Sequence, residues 1–119
     1  MAADVAKLTH SRMETQIKIL EMIAIRDDIK SMNWTIQQPI LQKLVESTEF
    51  LEIGIVQSDG TAYYPNGTTA QLGDRDYVKK ALDGEVNISD LILSRVMNDL
   101  VFIYAVPIEK DGKIVGAII

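Results

Sequence analysis

Two rhythms divide this chain. Up to about Glu46 apolar residues recur every three or four positions, and from Phe50 onward they cluster in short runs broken by Gly, Asp and Pro. These are the signatures of helix and of turn-linked strands. No Gly or Pro occurs between Asp4 and Met32, where Ala, Leu, Met, Ile, Glu, Gln and Lys dominate, so about 4–32 predicts one long helix. Val5, Leu8, Arg12, Thr15, Ile19, Met22, Arg26 and Ile29 form one row at three-and-four spacing, and Ile17, Leu20, Ile23 and Ala24 add a second face. At about 1.5 Å per residue the helix runs roughly 43 Å, longer than a compact domain of this size is wide. Its first turns are expected to overhang, as a dimer stalk or a frayed end. Asn33-Trp34 interrupts the pattern, and Pro39 suits the first turn of a second helix, about 38–46, with Ile40, Leu41, Leu44 and Val45 facing inward. Trp34 is expected to anchor the two helices together.

The second half reads as hairpins. Phe50 to Gln57 is rich in strand formers, Asp59-Gly60 gives a tight-turn signal, and Thr61 to Tyr64 returns. Pro65-Asn66-Gly67-Thr68 ends that strand, leaving Thr69 to Gly73 as a polar loop. Val86 to Ser89 and Leu91 to Leu93 read as extended. Leu100 to Ile108 is apolar on both sides, as expected of a central strand, with Pro107 near a strand end or bulge. Asp111-Gly112 forms a second hairpin into Ile114 to Ile119. The prediction is one α+β domain over 1–119, with a sheet-containing core at about 50–119 and five antiparallel strands. Hairpin links are too short for the crossovers of a doubly wound sheet. The chain stops inside an apolar run, as expected of a segment excised from a longer protein.

Leu72 to Gly84 stands apart as a short helix between hairpins. Asp74 is placed to cap it, Asp76 lies in its first turn, Lys79 and Lys80 near its last, and Gly84 just beyond. Arg75 sits at its entrance. A guanidinium there can fork onto a carboxylate or phosphate. Asp74 and Asp76 can equally hold it in a surface ion pair worth little.

Composition narrows the chemistry. With 17 acidic residues against 12 basic, the net charge of -5 argues against a nucleic-acid surface. The chain has no cysteine, which removes disulfides, thiolate catalysis and cysteine-held metal. His10 is the single histidine and has no partner for a metal site, so it is expected to face solvent. No catalytic set, cofactor motif or metal spacing is found, and no run reaches the roughly eighteen apolar residues of a membrane span. Asn66-Gly67-Thr68 and Asn87-Ile88-Ser89 match the weak glycosylation pattern.

The order of strand, Asp59-Gly60 turn, strand, Leu72-Gly73-Asp74-Arg75-Asp76-Tyr77-Val78-Lys79-Lys80-Ala81-Leu82-Asp83-Gly84, Ile88-Ser89-Asp90, Ala105-Val106-Pro107-Ile108 and Asp111-Gly112-Lys113-Ile114-Val115-Gly116 resembles Cache domains. These are extracytoplasmic sensor modules of chemoreceptors, histidine kinases and cyclic-dinucleotide enzymes. The resemblance implies a PAS-like antiparallel sheet, a stalk helix leading from a membrane anchor, and a pocket for a small ligand. Members that bind amino acids hold the carboxylate with an Arg-x-Trp-Tyr motif and the amine with acidic residues. Arg75 matches the arginine, Tyr77 the tryptophan position and Val78 the tyrosine position. Asp90 falls where one acidic contact is expected, while Ile118 stands in place of the second.

An ammonium buried without its anion costs several kcal/mol at the order-of-magnitude level. The resemblance therefore implies a small mono- or dicarboxylate, held by Arg75 and Tyr77, with Tyr104 and Tyr63 as pocket walls. The alternative is a ligand-free module that forms homodimers through the long N-terminal helix.

Overall fold

The computed structural model describes residues 14–48, 50, 52–89, 92–93 and 100–119. The first turns of the expected long helix and His10 lie outside them. Helix α1 occupies 14–24 of the described chain, and the single helix expected to about Met32 is broken at 25–26. Arg26 adopts an extended conformation there and starts a separate turn, α2 (Asp27–Lys30). The reason lies in the core. Leu20, Ile23, Ala24 and Ile29 are all buried, yet at about 100° per residue an unbroken helix would turn Ile29 some 120° away from Ile23. Breaking the helix returns Ile29 to the core. The three-and-four row proposed from sequence instead faces out at Met22 and Arg26, Met22 being 68% exposed.

Helix α3 spans Trp34–Ser47, four residues earlier than predicted, because Asn33 is its cap: the side-chain oxygen accepts from Thr35 N–H at 3.1 Å. Pro39 thus falls inside the helix. The rings of Trp34 and Tyr63 are tilted by 36° with centroids 5.7 Å apart, which anchors α3 to the sheet.

The strands are β1 (Ile55–Gln57), β2 (Thr61–Tyr63), β3 (Thr69–Gln71), β4 (Asn87–Ile88), β5 (Ile92–Leu93), β6 (Leu100–Val101), β7 (Tyr104–Lys110) and β8 (Lys113–Ile118). Helix α4 (Asp76–Leu82) lies between β3 and β4. Among the described residues β5 and β6 pair with each other, and the main sheet has six strands in the order β3-β2-β1-β8-β7-β4, not five. Every pairing is antiparallel. The strand missed is β3, read as a polar loop. It is a three-residue edge strand with Thr69 and Gln71 exposed, held by its ladder to β2 and by Gln71 Nε2 donating to Thr61 Oγ1 at 2.7 Å. Such a strand is too short and polar to show an alternating pattern. The two central positions belong to β1 and β8; β7 is interior, between β8 and β4, with Ala105 and Val106 buried on opposite faces, and its bulge falls between Ile108 and Glu109, just after Pro107.

Both Asp-Gly turns form as expected. Asp111 and Gly112 have φ of 52° and 78°, the left-handed pair that suits a tight hairpin.

Alternation along the strands splits the core into two layers. Ile55, Val106, Ile108 and Ile118 face the helices α1 to α3, while Val56, Ala105, Ala117 and Ile119 face α4.

Candidate ligand-binding site

Helix α4 is placed by backbone contacts at both ends. At its start, the Asp59-Gly60 turn meets the loop before α4: a Cβ on Gly60 would lie 2.6 Å from Gly73 Cα, and Leu72 N–H donates to Gly60 O at 3.0 Å. Only glycine permits that approach. At its end, Gly84 takes φ +94°, with Gly84 N–H on Ala81 O and Glu85 N–H on Lys80 O, both at 2.9 Å. This pair of bonds closes the free carbonyls in the expected way. Tyr77, Val78 and Ala81 are buried against the sheet. The capping prediction is corrected in one respect: the cap position is Arg75, not Asp74, and Arg75 makes no side-chain capping bond.

Arg75, Asp76, Tyr77 and Lys80 of this element face Asn87, Ile88 and Ser89 of β4 and its exit across a cavity of about 300 Å³. Arg75 Nε is buried and has no hydrogen-bond partner among the described residues. Nor does any ion pair there join Arg75 to Asp74 or Asp76; the ion pair present is Arg26 with Asp28, at 2.9 Å on the surface. The guanidinium is thus set beside an acid-sized hollow and is not neutralised by its sequence neighbours.

The opposite wall is rigidly held. Ser89 N–H donates to Ile103 O at 2.8 Å, and Ile103 N–H returns to Ser89 Oγ at 2.9 Å. Asn87 Nδ2 donates to Tyr77 O at 3.1 Å and Glu85 O at 3.2 Å, tying β4 to α4.

Of the residues predicted for the site, Arg75 and Tyr77 line the cavity. Asp90 lies outside the described residues. Tyr63 and Tyr104 do not line it. Tyr63 pairs with Ile55 across β2 and β1 and lies against Trp34, and Tyr104 packs edge-on against Phe50 at 6.2 Å, so both sit on the α1 to α3 face. Side-chain period two is the cause: Ala105, one residue on from Tyr104, faces α4. Ile118 is likewise fully buried on the helical face. Val78 is fully buried against the sheet.

Sequence reasoning missed Asp76, Lys80, Asn87, Ile88 and Ser89 as lining residues. The polar Asn87 and Ser89 within an extended run were the available signal. It also missed Tyr64, buried on the α4 face, whose phenol is held above its ordinary value by burial and then by the nearby Tyr77 and Glu52.

No protein-family model and no curated protein matches this sequence. Solved structures do match. The ligand-binding domain of the Campylobacter jejuni chemoreceptor Tlp3, in complex with 4-methylisoleucine, superposes at a TM-score of 0.77 with 19% identity, over 97% of this chain and 51% of that one. The extracellular domain of the putative histidine kinase rpHK1S-Z16 gives 0.77 with 21% identity, over 94% and 49%. The Pseudomonas fluorescens chemoreceptor CtaA ligand-binding domain, in complex with L-serine, gives 0.74 with 16% identity, over 91% and 49%. The chain spans about half the length of these domains. With its antiparallel sheet between a helical layer and a short helix, this chain has the Cache-like fold of those chemoreceptor and histidine kinase domains.

Proposed function

We propose that this chain is the ligand-sensing unit of a membrane-anchored receptor, exposed outside the cytoplasm, and that it takes a small organic carboxylate into the cavity beside Arg75. The observation that carries this reading is the buried, unpartnered Nε of Arg75. Leaving such a donor unsatisfied costs about 1–3 kcal/mol, and a planar anion in the adjoining cavity offsets that cost with two parallel hydrogen bonds. Arg75 and Tyr77 are the proposed contacts to the carboxylate. The Tlp3 and CtaA structures of this fold are in complex with 4-methylisoleucine and L-serine, each of which carries a carboxylate. No helix among the described residues is long and apolar enough to cross a membrane.

Binding against α4 would act on β8, whose Ala117 faces α4 while Ile118 faces the helical layer. A shift of that strand repacks α1 and α2, the route proposed for signal output. The test is thermal unfolding against a panel of small carboxylates and amino acids. At a hundred times Kd a ligand adds about 2.7 kcal/mol, or roughly 10 °C for a domain of this size. Arg75→Ala abolishes the shift and keeps the fold; a variant that still responds, or a panel with no stabilising acid, refutes the reading.

A second reading rests on a different observation. Met22 and Ile25 are 68% and 67% exposed at the end of α1, which suits pairing of two copies without a small ligand. A chain that stays monomeric at high concentration in ultracentrifugation excludes it.

A further inference from the structure

We infer that Asn87 makes the site selective for hydroxy acids: Asn87 Oδ1 accepts a hydrogen bond from a hydroxyl carried next to the ligand's carboxylate. The inference rests on the cavity beside Arg75 being the ligand site.

The argument begins with an amide whose orientation is fixed. Asn87 Nδ2 sits 3.1 Å from Tyr77 O and 3.2 Å from Glu85 O. Both are backbone carbonyls, which can only accept. Rotating the amide would set oxygen against two oxygens, so both N–H groups point into the protein. What Asn87 offers to the cavity it lines is therefore its carbonyl oxygen. Oδ1 has no hydrogen-bond partner among the described residues, and it is not among the fully buried polar atoms, so it is open to an incoming group. A plain carboxylate, which only accepts, gains nothing from this oxygen and meets it as a repulsive neighbour. A ligand that answers both Arg75 and Asn87 needs an acid group and a hydrogen-bond donor close together.

Two donors suit that place in a small acid, a hydroxyl and an ammonium. The charged lining decides between them. Arg75 and Lys80 are cationic, and the carboxylate among the described lining residues, Asp76, is on the exposed side of the first turn of α4. A neutral amide oxygen does not compensate a desolvated ammonium, whereas it satisfies a hydroxyl fully. Lys80, one and a half turns along the same helix from Arg75, is placed to meet a second acid group.

Three acids with one carbon skeleton separate these terms: succinate, malate and aspartate carry hydrogen, hydroxyl and ammonium at the same carbon. Isothermal titration of the full chain is expected to give malate a Kd about tenfold below that of succinate, the worth of one hydrogen bond, with aspartate weakest. In Asn87→Ala the malate-to-succinate ratio falls to within about twofold. Should that variant fail to fold, the ratio in the unmodified chain decides. Equal Kd values for malate and succinate, both lost in Arg75→Ala, overturn the role of Asn87 and leave the carboxylate site standing. Aspartate binding more tightly than malate overturns the hydroxyl assignment. No binding of any of the three overturns the carboxylate reading and this one together.

Discussion

Arg75 makes a prediction that a structural arginine would not: removing its charge should stabilise the ligand-free protein. Its Nε is buried with no partner among the described residues. An unsatisfied buried donor costs about 1–3 kcal/mol. The side chain as a whole is only partly buried, so the lower end applies. Arg75→Met keeps an aliphatic stem and deletes the polar head. The net expectation is a gain of about 1 kcal/mol, or roughly 4 °C in Tm. Urea titration with an unchanged slope measures it without assuming a ligand. In saturating malate the order reverses, because the unmodified chain gains binding energy and the variant gains none. A loss of 1 kcal/mol or more in the ligand-free variant, or an equal response of both chains to malate, refutes the reasoning. The trade between stability and function is what a binding residue produces.

Gly116→Ala is expected to destabilise by about 1–3 kcal/mol, because its Cβ would lie 2.5 Å from Met32 Cε and 2.6 Å from Val56 O. The methionine can move and the strand carbonyl cannot, so adding Met32→Ala in the same chain does not restore Tm. Gly84→Ala costs about 1 kcal/mol from its φ of +94° alone, since Ile114 Cδ1 at 3.7 Å is an ordinary contact; chemical denaturation measures both. Burial raises the Tyr64 phenol above its ordinary value, with Tyr77 and Glu52 adding to it. The unfolded chain therefore loses this proton first. The contribution is fully present below about pH 10 and declines as pH rises further. Tyr64→Phe should flatten that alkaline decline in a pH series of urea midpoints; an unchanged slope counts against it.

The helix that carries Arg75 was legible because its signals are local. Gly84 stops α4 through its own backbone, and the Asp59-Gly60 and Asp111-Gly112 turns need only the residues they contain. Arg75 was marked by its place at a helix entrance. The missing pieces depend on distant partners. Asn33 is the exception, a local cap bonded to Thr35 N–H two residues on, whose residue type reads equally as an interruption. Thr69 to Gln71 become a strand through β2, not through their own sequence. Asn87 becomes informative only when Tyr77 O and Glu85 O take both of its N–H groups.

By itself the sequence determined the α+β class, the antiparallel hairpins and the short helix that carries Arg75, because turn chemistry and helix termini act over a few residues. Only the tertiary structure decided which layer each strand face meets. Alternation reveals that Tyr104 and Ala105 point opposite ways, and the same holds for Tyr63 and Ala62. It does not reveal which face the α1 to α3 layer covers and which is left to α4. That depends on where the helices bury the most apolar surface, a property of the whole packed chain. It sends both tyrosines away from the cavity, and it breaks the first helix at 25–26 so that Ile29 can reach the core.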